Sequence, residues 1–229
     1  MKAMILAAGL GKRMLPLTAN TPKPLLQVGG KPLLEHHILN LKAAGFTELV
    51  INAAYLADQI IDFCGDGSRW GVQIHISVET QPLETAGGIV KALPFLGNKP
   101  FIVVNGDTFS HFGFKELQDV LVPAGGAHLI LVPNPAHNVA GDFTLLEHQV
   151  QPRAEQPLTF SGIAAYHPHF FYGLAEGKRP LKTLLDAAIA NQTVTGELYD
   201  GLWLDVGTPQ RLLELERAYR AGDLDRCER

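Results

Sequence analysis

The chain has 229 residues, with 19 Lys and Arg against 23 Asp and Glu and a formal charge of −4. That length can bury a core without disulfide or metal support, and the acidic balance argues against a broad basic surface for nucleic acid, so any anion site must be local. Cys64 and Cys227 stand far apart outside any Cys-x-x-Cys, which argues against a disulfide framework, a zinc ribbon or a redox pair. The opening apolar run is too short for a signal peptide and no later run approaches the roughly 20 residues of a membrane helix, so the expected compartment is the cytoplasm.

In chain order, the first predicted element is a strand over Lys2–Leu6, which stops at Ala-Ala-Gly and runs into "LGKRMLPLTANTPKP". Gly9 and Gly11 let backbone N–H groups approach an anion, with Lys12, Arg13 and Lys23 beside them. A lone Gly-x-Gly also punctuates ordinary strand-to-helix loops. "KPLLEHHILNLKAAG" follows, with Leu33, Leu34, Ile38 and Leu41 at helical spacing and Gly45 as a stop. A strand over Glu48–Asn52 completes a βαβ unit. Further strands are predicted at Gln73–Val78, Pro100–Val104 and His128–Val132, most of them apolar enough for burial on both faces.

"GGIVKALPFLG" reads as a short helix ended by Pro94. "GDFTLLEHQV" and "LTFSGIAAYHP" read as two strands joined by a polar loop with Pro152 and Pro157, forming a hairpin over the site. His167 and His169, with Pro168 between them, read as surface histidines rather than a metal pair. "KTLLDAAIANQ" is a later helix. "GLWLDVGTPQRLLELERAYRAG" is a strand followed by a helix, with Thr208 as N-cap, Pro209 in the first turn and Gly222 as stop. Strands alternating with amphipathic segments, without repeat or linker, predict an α/β sheet with helices on its faces.

Asp107 in "VVNGD" and Asp205 in "WLDVGTP" each fall at the carboxyl end of a predicted strand, the edge where open α/β sheets bind ligands. Each alone is also what a turn or a helix start carries. Converging on the same crevice as a cationic glycine loop, two carboxylates would hold a hard divalent cation, since Mg²⁺ takes one or two carboxylates plus phosphate oxygens and water.

Together these residues resemble the sugar-1-phosphate nucleotidyltransferases. The resemblance lies in Gly9, Gly11, Arg13, Pro16, Leu17, Thr18, Lys23 and Pro24, and continues in order through "EHHI", "ETQPLETAGGI", "VVNGD", "GDF", "FSGIAAYHP" and "WLDVGTPQRL". Many members carry Gly where Glu84 stands here. The resemblance implies a Rossmann-like, three-layer αβα fold of GT-A-like type with a mixed, mostly parallel sheet. It also implies one catalytic domain over residues 1–229, without the C-terminal β-helix domain of bifunctional relatives.

The implied reaction is attack of a sugar 1-phosphate on the α-phosphorus of UTP with Mg²⁺ as cofactor. Arg13 and Lys23 are the implied catalytic cations, and Asp107 and Asp205 the metal ligands. Leu6, Ala8, Gly9 and Gly11 with Pro82, Thr85 and Ala86 are implied to frame the nucleotide, and Asn105, Gly141, Asp142, Ser161 and Gly162 to line the sugar pocket. A sugar bearing a carboxylate would want a cation, for which Lys178, Arg179, Lys182 and Arg153 are candidates. Glucose or mannose 1-phosphate with dTTP, UTP or GTP is the alternative within the family, and a catalytically silent nucleotide-sugar binder the alternative outside it. Nucleic acid, membrane and an obligate protein partner are not implied.

Overall fold

The computed structural model describes residues 1–224, so Cys227 lies outside the described residues. In chain order the strands are β1 (Lys2–Leu6), β2 (Gln27–Val28), β3 (Lys31–Pro32), β4 (Glu48–Ala53), β5 (Gln73–Val78), β6 (Phe101–Asn105) and β7 (Thr108–Ser110). They continue with β8 (Ala127–Val132), β9 (Phe143–Leu146), β10 (Gln149–Pro152), β11 (Thr159–Tyr166), β12 (Val194–Leu198) and β13 (Trp203–Asp205). The helices are α1 (Leu33–Ala43), α2 (Ala57–Cys64), α3 (Glu84–Leu96), α4 (Leu181–Ala190) and α5 (Pro209–Ala221).

Nine strands form one sheet in the order β5-β4-β1-β6-β11-β8-β12-β10-β9. The run β5-β4-β1-β6 is parallel, β11 is antiparallel to both its neighbours, β12 is parallel to β8, and β10 is antiparallel to β12 and β9. All strands but β11 and β10 therefore point the same way. Alternation along each strand divides the core between two faces. Ala3, Ile5, Leu49, Ile51, Ile102 and Val104 pack with Leu34, Ile38 and Leu41 of α1 and Ile60 and Cys64 of α2. Met4, Val50, Phe101 and Val103 pack on the other side with Ile89 of α3 and Leu185 and Ile189 of α4. The result is the three-layer αβα arrangement the sequence implied. Burial pushes the Cys64 thiol up to about 12, so it remains an inert core residue. No helix among the described residues is long and apolar enough to cross a membrane.

Three expectations change. β5 is half exposed rather than buried on both faces, because it is the sheet's edge strand. Pro94 does not end its helix. α3 begins earlier, at Glu84, and runs to Leu96, since a proline so near the C-terminus gives up one bond of the ladder and Gly97 follows with φ 82°. The hairpin is β9–β10, formed by "GDFTLLEHQV" with Gln151 and Pro152 after it, and lies at the sheet's far edge. "LTFSGIAAYHP" supplies β11, an inner strand buried over most of its length, which its small and apolar residues permit between β6 and β8.

The parallel run also fixes the loops at its carboxyl ends. Asn52 is buried near the end of β4, where its Oδ1 accepts from the Ala7 N–H at 2.8 Å and its Nδ2 donates to Glu79 Oε1 at 2.7 Å. Glu79 Oε2 in turn accepts from the Leu83 N–H at 2.9 Å. One buried side-chain chain thus ties the loop after β1 to the loop before α3. A strap through residues 177–180 closes on the same helix start, the Arg179 N–H donating to Leu83 O and the Gly87 N–H to Arg179 O. A Cβ on Gly87 would lie 2.2 Å from the carbonyl oxygen of Gly177, so only glycine admits the strap.

The chain through Asn52 has a measurable consequence. Asn52→Leu fills the same space but strands the Ala7 N–H and Glu79 Oε1, and should lower stability by about 2–5 kcal/mol. Urea denaturation should show a lower midpoint with an unchanged slope; an unchanged midpoint would mean that these bonds contribute nothing net.

Candidate functional site

A cavity of about 630 Å³ opens at the carboxyl ends of β1 and β6. Leu6, Ala8 and Gly9 form one wall, Pro82 and Thr85 at the start of α3 another, and Asn105 and Asp107 the end beyond β6. Its cations are Lys23 and Lys178. Lys23 is held in a short turn between Pro22 and Pro24, where it is buried, 7 % exposed, and its Nζ donates to Asp107 Oδ2 at 2.6 Å. An ammonium so shielded requires a partner, and removing the carboxylate alone would leave a buried charge. Lys178 comes from the strap and meets Glu84 at 3.2 Å in the open. Both cations are thus balanced by carboxylates at the cavity wall, and an incoming polyanion could compete for them.

Glu84 holds φ 60° as the first residue of α3. A left-handed backbone is comfortable for glycine and strained for glutamate. Glu84, Thr85 and Asn105 also border a second cavity of about 480 Å³, completed by Asp142 and Phe143 before and in β9, Phe160 of β11, and Leu181, Lys182 and Leu185 of α4. The two cavities therefore meet along a shared edge. Gly162, with φ 80°, underlies that edge, since a Cβ there would come within 2.3 Å of Asn105 Nδ2. Asp142 Oδ2 accepts from the Phe160 N–H at 2.9 Å, fixing its carboxylate at the second cavity.

Asp107 and Asp205 come from a two-stranded ribbon. β7 and β13 pair antiparallel, with Asp205 opposite Thr108 and the Val206 N–H donating to Asp107 O at 2.9 Å. The Asp205 carboxylate is held separately. Its Oδ2 accepts from Arg211 Nη1 at 2.7 Å and lies 3.2 Å from His137 Nε2. Among the described residues no group of three or more His, Cys, Asp or Glu gathers for a metal. Asp205 borders neither of the two cavities above and lines a separate one of about 280 Å³ with His137 and Arg211. Carboxylate oxygens are the donors Mg²⁺ takes, with phosphate oxygens and water, and a metal at Asp107 would take over the charge that Lys23 now balances. His37 of α1 packs beneath this ribbon, and burial lowers its pKa to about 4, so it stands neutral near Asp107.

The other predicted positions separate by burial. Arg13 is exposed in the turn Lys12–Met14 and is not on either cavity wall. Gly11, with φ 61°, begins that turn and packs toward Thr18, whose Oγ1 donates back to Gly11 O. Ala86 faces the core from α3. Ser161 is wholly buried and donates to Ile130 O at 2.6 Å, acting within the sheet. Gly141, with φ 61°, packs against Pro157 and Asn134 one residue before Asp142. Asn52 and Glu79 were not among the predicted residues, although polar groups within or directly after apolar strands signal a buried network.

With that geometry in place, likeness to known proteins can be read. Residues 2–156 match the family described as nucleotidyl transferase. The N-acetylmuramate alpha-1-phosphate uridylyltransferase of Neisseria meningitidis serogroup B is 50 % identical over 224 residues, covering 94 % of this chain and 97 % of that one. The mannose-1-phosphate guanyltransferase of Aspergillus oryzae is 30 % identical over 93 % of this chain, which spans only 62 % of that longer protein. A crystal structure of a Bacillus anthracis protein in complex with sucrose shares the fold, with a TM-score of 0.85 at 23 % identity, over 96 % of this chain and 95 % of that one. A family match through most of the sequence and a relative half identical over nearly all of both chains lead to one conclusion: the chain belongs to the nucleotidyl transferase family.

Proposed function

We propose that this nucleotidyltransferase moves a uridylyl group from UTP to N-acetylmuramic acid α-1-phosphate, giving UDP-N-acetylmuramic acid and pyrophosphate in the cytoplasm as a step of peptidoglycan recycling. The observation that carries this reading is the 50 % identity that extends over nearly all of both chains. On this reading residues 1–229 act as one catalytic domain, with UTP and the sugar phosphate as the partners it needs.

Both substrates are anions, so the work is to bring them into line and offset their charge. UTP enters the 630 Å³ cavity, its base and ribose against Leu6, Ala8, Pro82 and Thr85, and its phosphates toward Gly9, Gly11 and Lys23. Ala86 supports the nucleotide wall from the core side. Arg13 is exposed on the same loop and reaches the leaving pyrophosphate from outside the wall. The sugar phosphate enters the 480 Å³ cavity against Asn105 and Asp142, with Gly141, Ser161 and Gly162 setting the backbone around them.

Lys23, freed from Asp107 by the arriving charge, steadies the α-phosphate as the sugar phosphate oxygen approaches it. Asp107 and Asp205 would hold Mg²⁺, which would supply further offset of phosphate charge. Neutral His37 adds no like charge beneath that site.

Pyrophosphate release with Mg²⁺, measured for four nucleoside triphosphates against N-acetylmuramate, N-acetylglucosamine, glucose and mannose 1-phosphates, should give its dominant signal for UTP with the first sugar. A dominant signal for another pair would move the substrate within the family, and silence with nucleotide still bound would favour a non-catalytic binder. Asp107→Asn and Asp205→Asn should each lower Mg²⁺-dependent turnover by about 100-fold or more, equivalent to about 2.7 kcal/mol in the barrier, and weaken Mn²⁺ binding to the UTP complex. Lys23→Ala should reduce kcat more than it raises the KM for UTP. Wild-type turnover in either aspartate variant would remove the metal assignment.

A further inference from the structure

N-acetylmuramate differs from N-acetylglucosamine by a lactyl ether, which places a methyl and a carboxylate on one carbon. A pocket that selects this group needs an apolar surface and a cation within a few ångströms of each other. The 480 Å³ cavity carries both. Phe143, Phe160, Leu181 and Leu185 form an apolar wall, and Lys182 is the cation among its lining residues.

None of the other candidate basic side chains borders this cavity. Lys178 is paired with Glu84 and borders the larger cavity. Arg179 is in the strap, with its backbone bonded to Leu83 and Gly87; its Nε is buried without a hydrogen-bond partner, and the residue lines neither cavity. Arg153 is exposed after β10 and borders neither cavity. The two carboxylates of the 480 Å³ cavity also have donors of their own, Glu84 in Lys178 and Asp142 in the Phe160 N–H. Lys182 by contrast holds only Asp186, at 2.7 and 2.8 Å, in a pair of which both members are largely exposed. An exposed i,i+4 pair of this kind contributes a few tenths of a kcal/mol, so a ligand carboxylate can displace Asp186 at little cost.

We infer that Lys182 is the residue that reads the lactyl carboxylate, its ammonium turning from Asp186 to the substrate while Phe143, Phe160, Leu181 and Leu185 receive the methyl. The inference rests on the proposed N-acetylmuramate reading and adds the side chain that selects the sugar. Lys182 acts on substrate affinity and takes no part in the transfer, since the lactyl group is remote from the phosphate that reacts.

The test compares N-acetylmuramic acid α-1-phosphate with its lactyl amide, an uncharged analogue of nearly the same shape, on the wild-type enzyme, Lys182→Ala and Lys182→Arg. The wild type should prefer the acid over the amide by roughly tenfold or more in kcat/KM, as expected for a charge-assisted hydrogen bond. Lys182→Ala should lose that preference through a raised KM for the acid, with kcat and the KM for UTP within about twofold of wild type. Lys182→Arg should restore most of it. Loss of acid and amide activity in equal proportion, or a preference that survives in Lys182→Ala, would overturn the inference and leave the substrate reading standing. A wild type that turns over neither compound but accepts another sugar 1-phosphate would overturn both.

Discussion

A lysine ammonium shielded from water must have a negative partner, and much of this site follows from that requirement at Lys23. Its turn is confined by Pro22 and Pro24, and its Nζ meets Asp107 at 2.6 Å. The contact ties the loop after β1 to the turn after β6. That turn continues into β7, which pairs with β13 and brings Asp205 within one rung of Asp107. The charge requirement at one lysine therefore spans 84 residues of sequence, while the Asp205 carboxylate keeps partners of its own in Arg211 and His137. A neutral residue at position 23 would relieve the constraint and, on the proposed reading, remove the cation from the place where two anions meet.

The same crevice uses compensated charge throughout. Lys178 faces Glu84 and Lys23 faces Asp107. Fixed cations without partners would bind phosphate strongly but would repel one another across a small cavity in the empty protein. Paired cations avoid that repulsion and exchange one anion for another when substrate arrives. The exchange also limits ground-state affinity, since part of the attraction to phosphate is offset by the lost internal pair. Such a site favours interactions that strengthen as charge develops over those that only tighten binding.

Much of the fold was legible because apolar runs and turn residues are local signals. β1, β4, β5, β6 and β8 fall within about a residue of their predicted ends, and Thr208, Pro209 and Gly222 bound α5 as expected. What failed depended on neighbours. Whether β5 is covered on both faces is a matter of sheet order, and whether β11 pairs with β9 or enters the centre is a matter of which partners it finds. The site divides in the same way. The placement of Lys23 and Asp107 at one cavity wall was legible from residue type and strand end, whereas the separate cavity that Asp205 lines and the inward facing of Ala86 and Ser161 depend on packing that no spacing reports. Asn52 and Glu79 did leave a signal, as polar residues at the ends of buried strands, but their joint role appears only when β4 and the loop before α3 are adjacent.

Glu84 connects these levels. A left-handed backbone at a non-glycine residue costs of order 1 kcal/mol or more, and its exposed ion pair with Lys178 returns at most a similar amount. Stability alone therefore gives little reason to prefer glutamate to glycine at this position. Position gives a better one. Glu84 stands where the two cavities meet and draws the ammonium of Lys178 to that edge. Glycine would relax the backbone and leave Lys178 without its partner at the cavity edge. The strain is then best understood as the cost of holding a balanced charge pair between the two cavities, with the strap at residues 177–180 kept close to α3 by the Gly87 contact that a side chain would forbid.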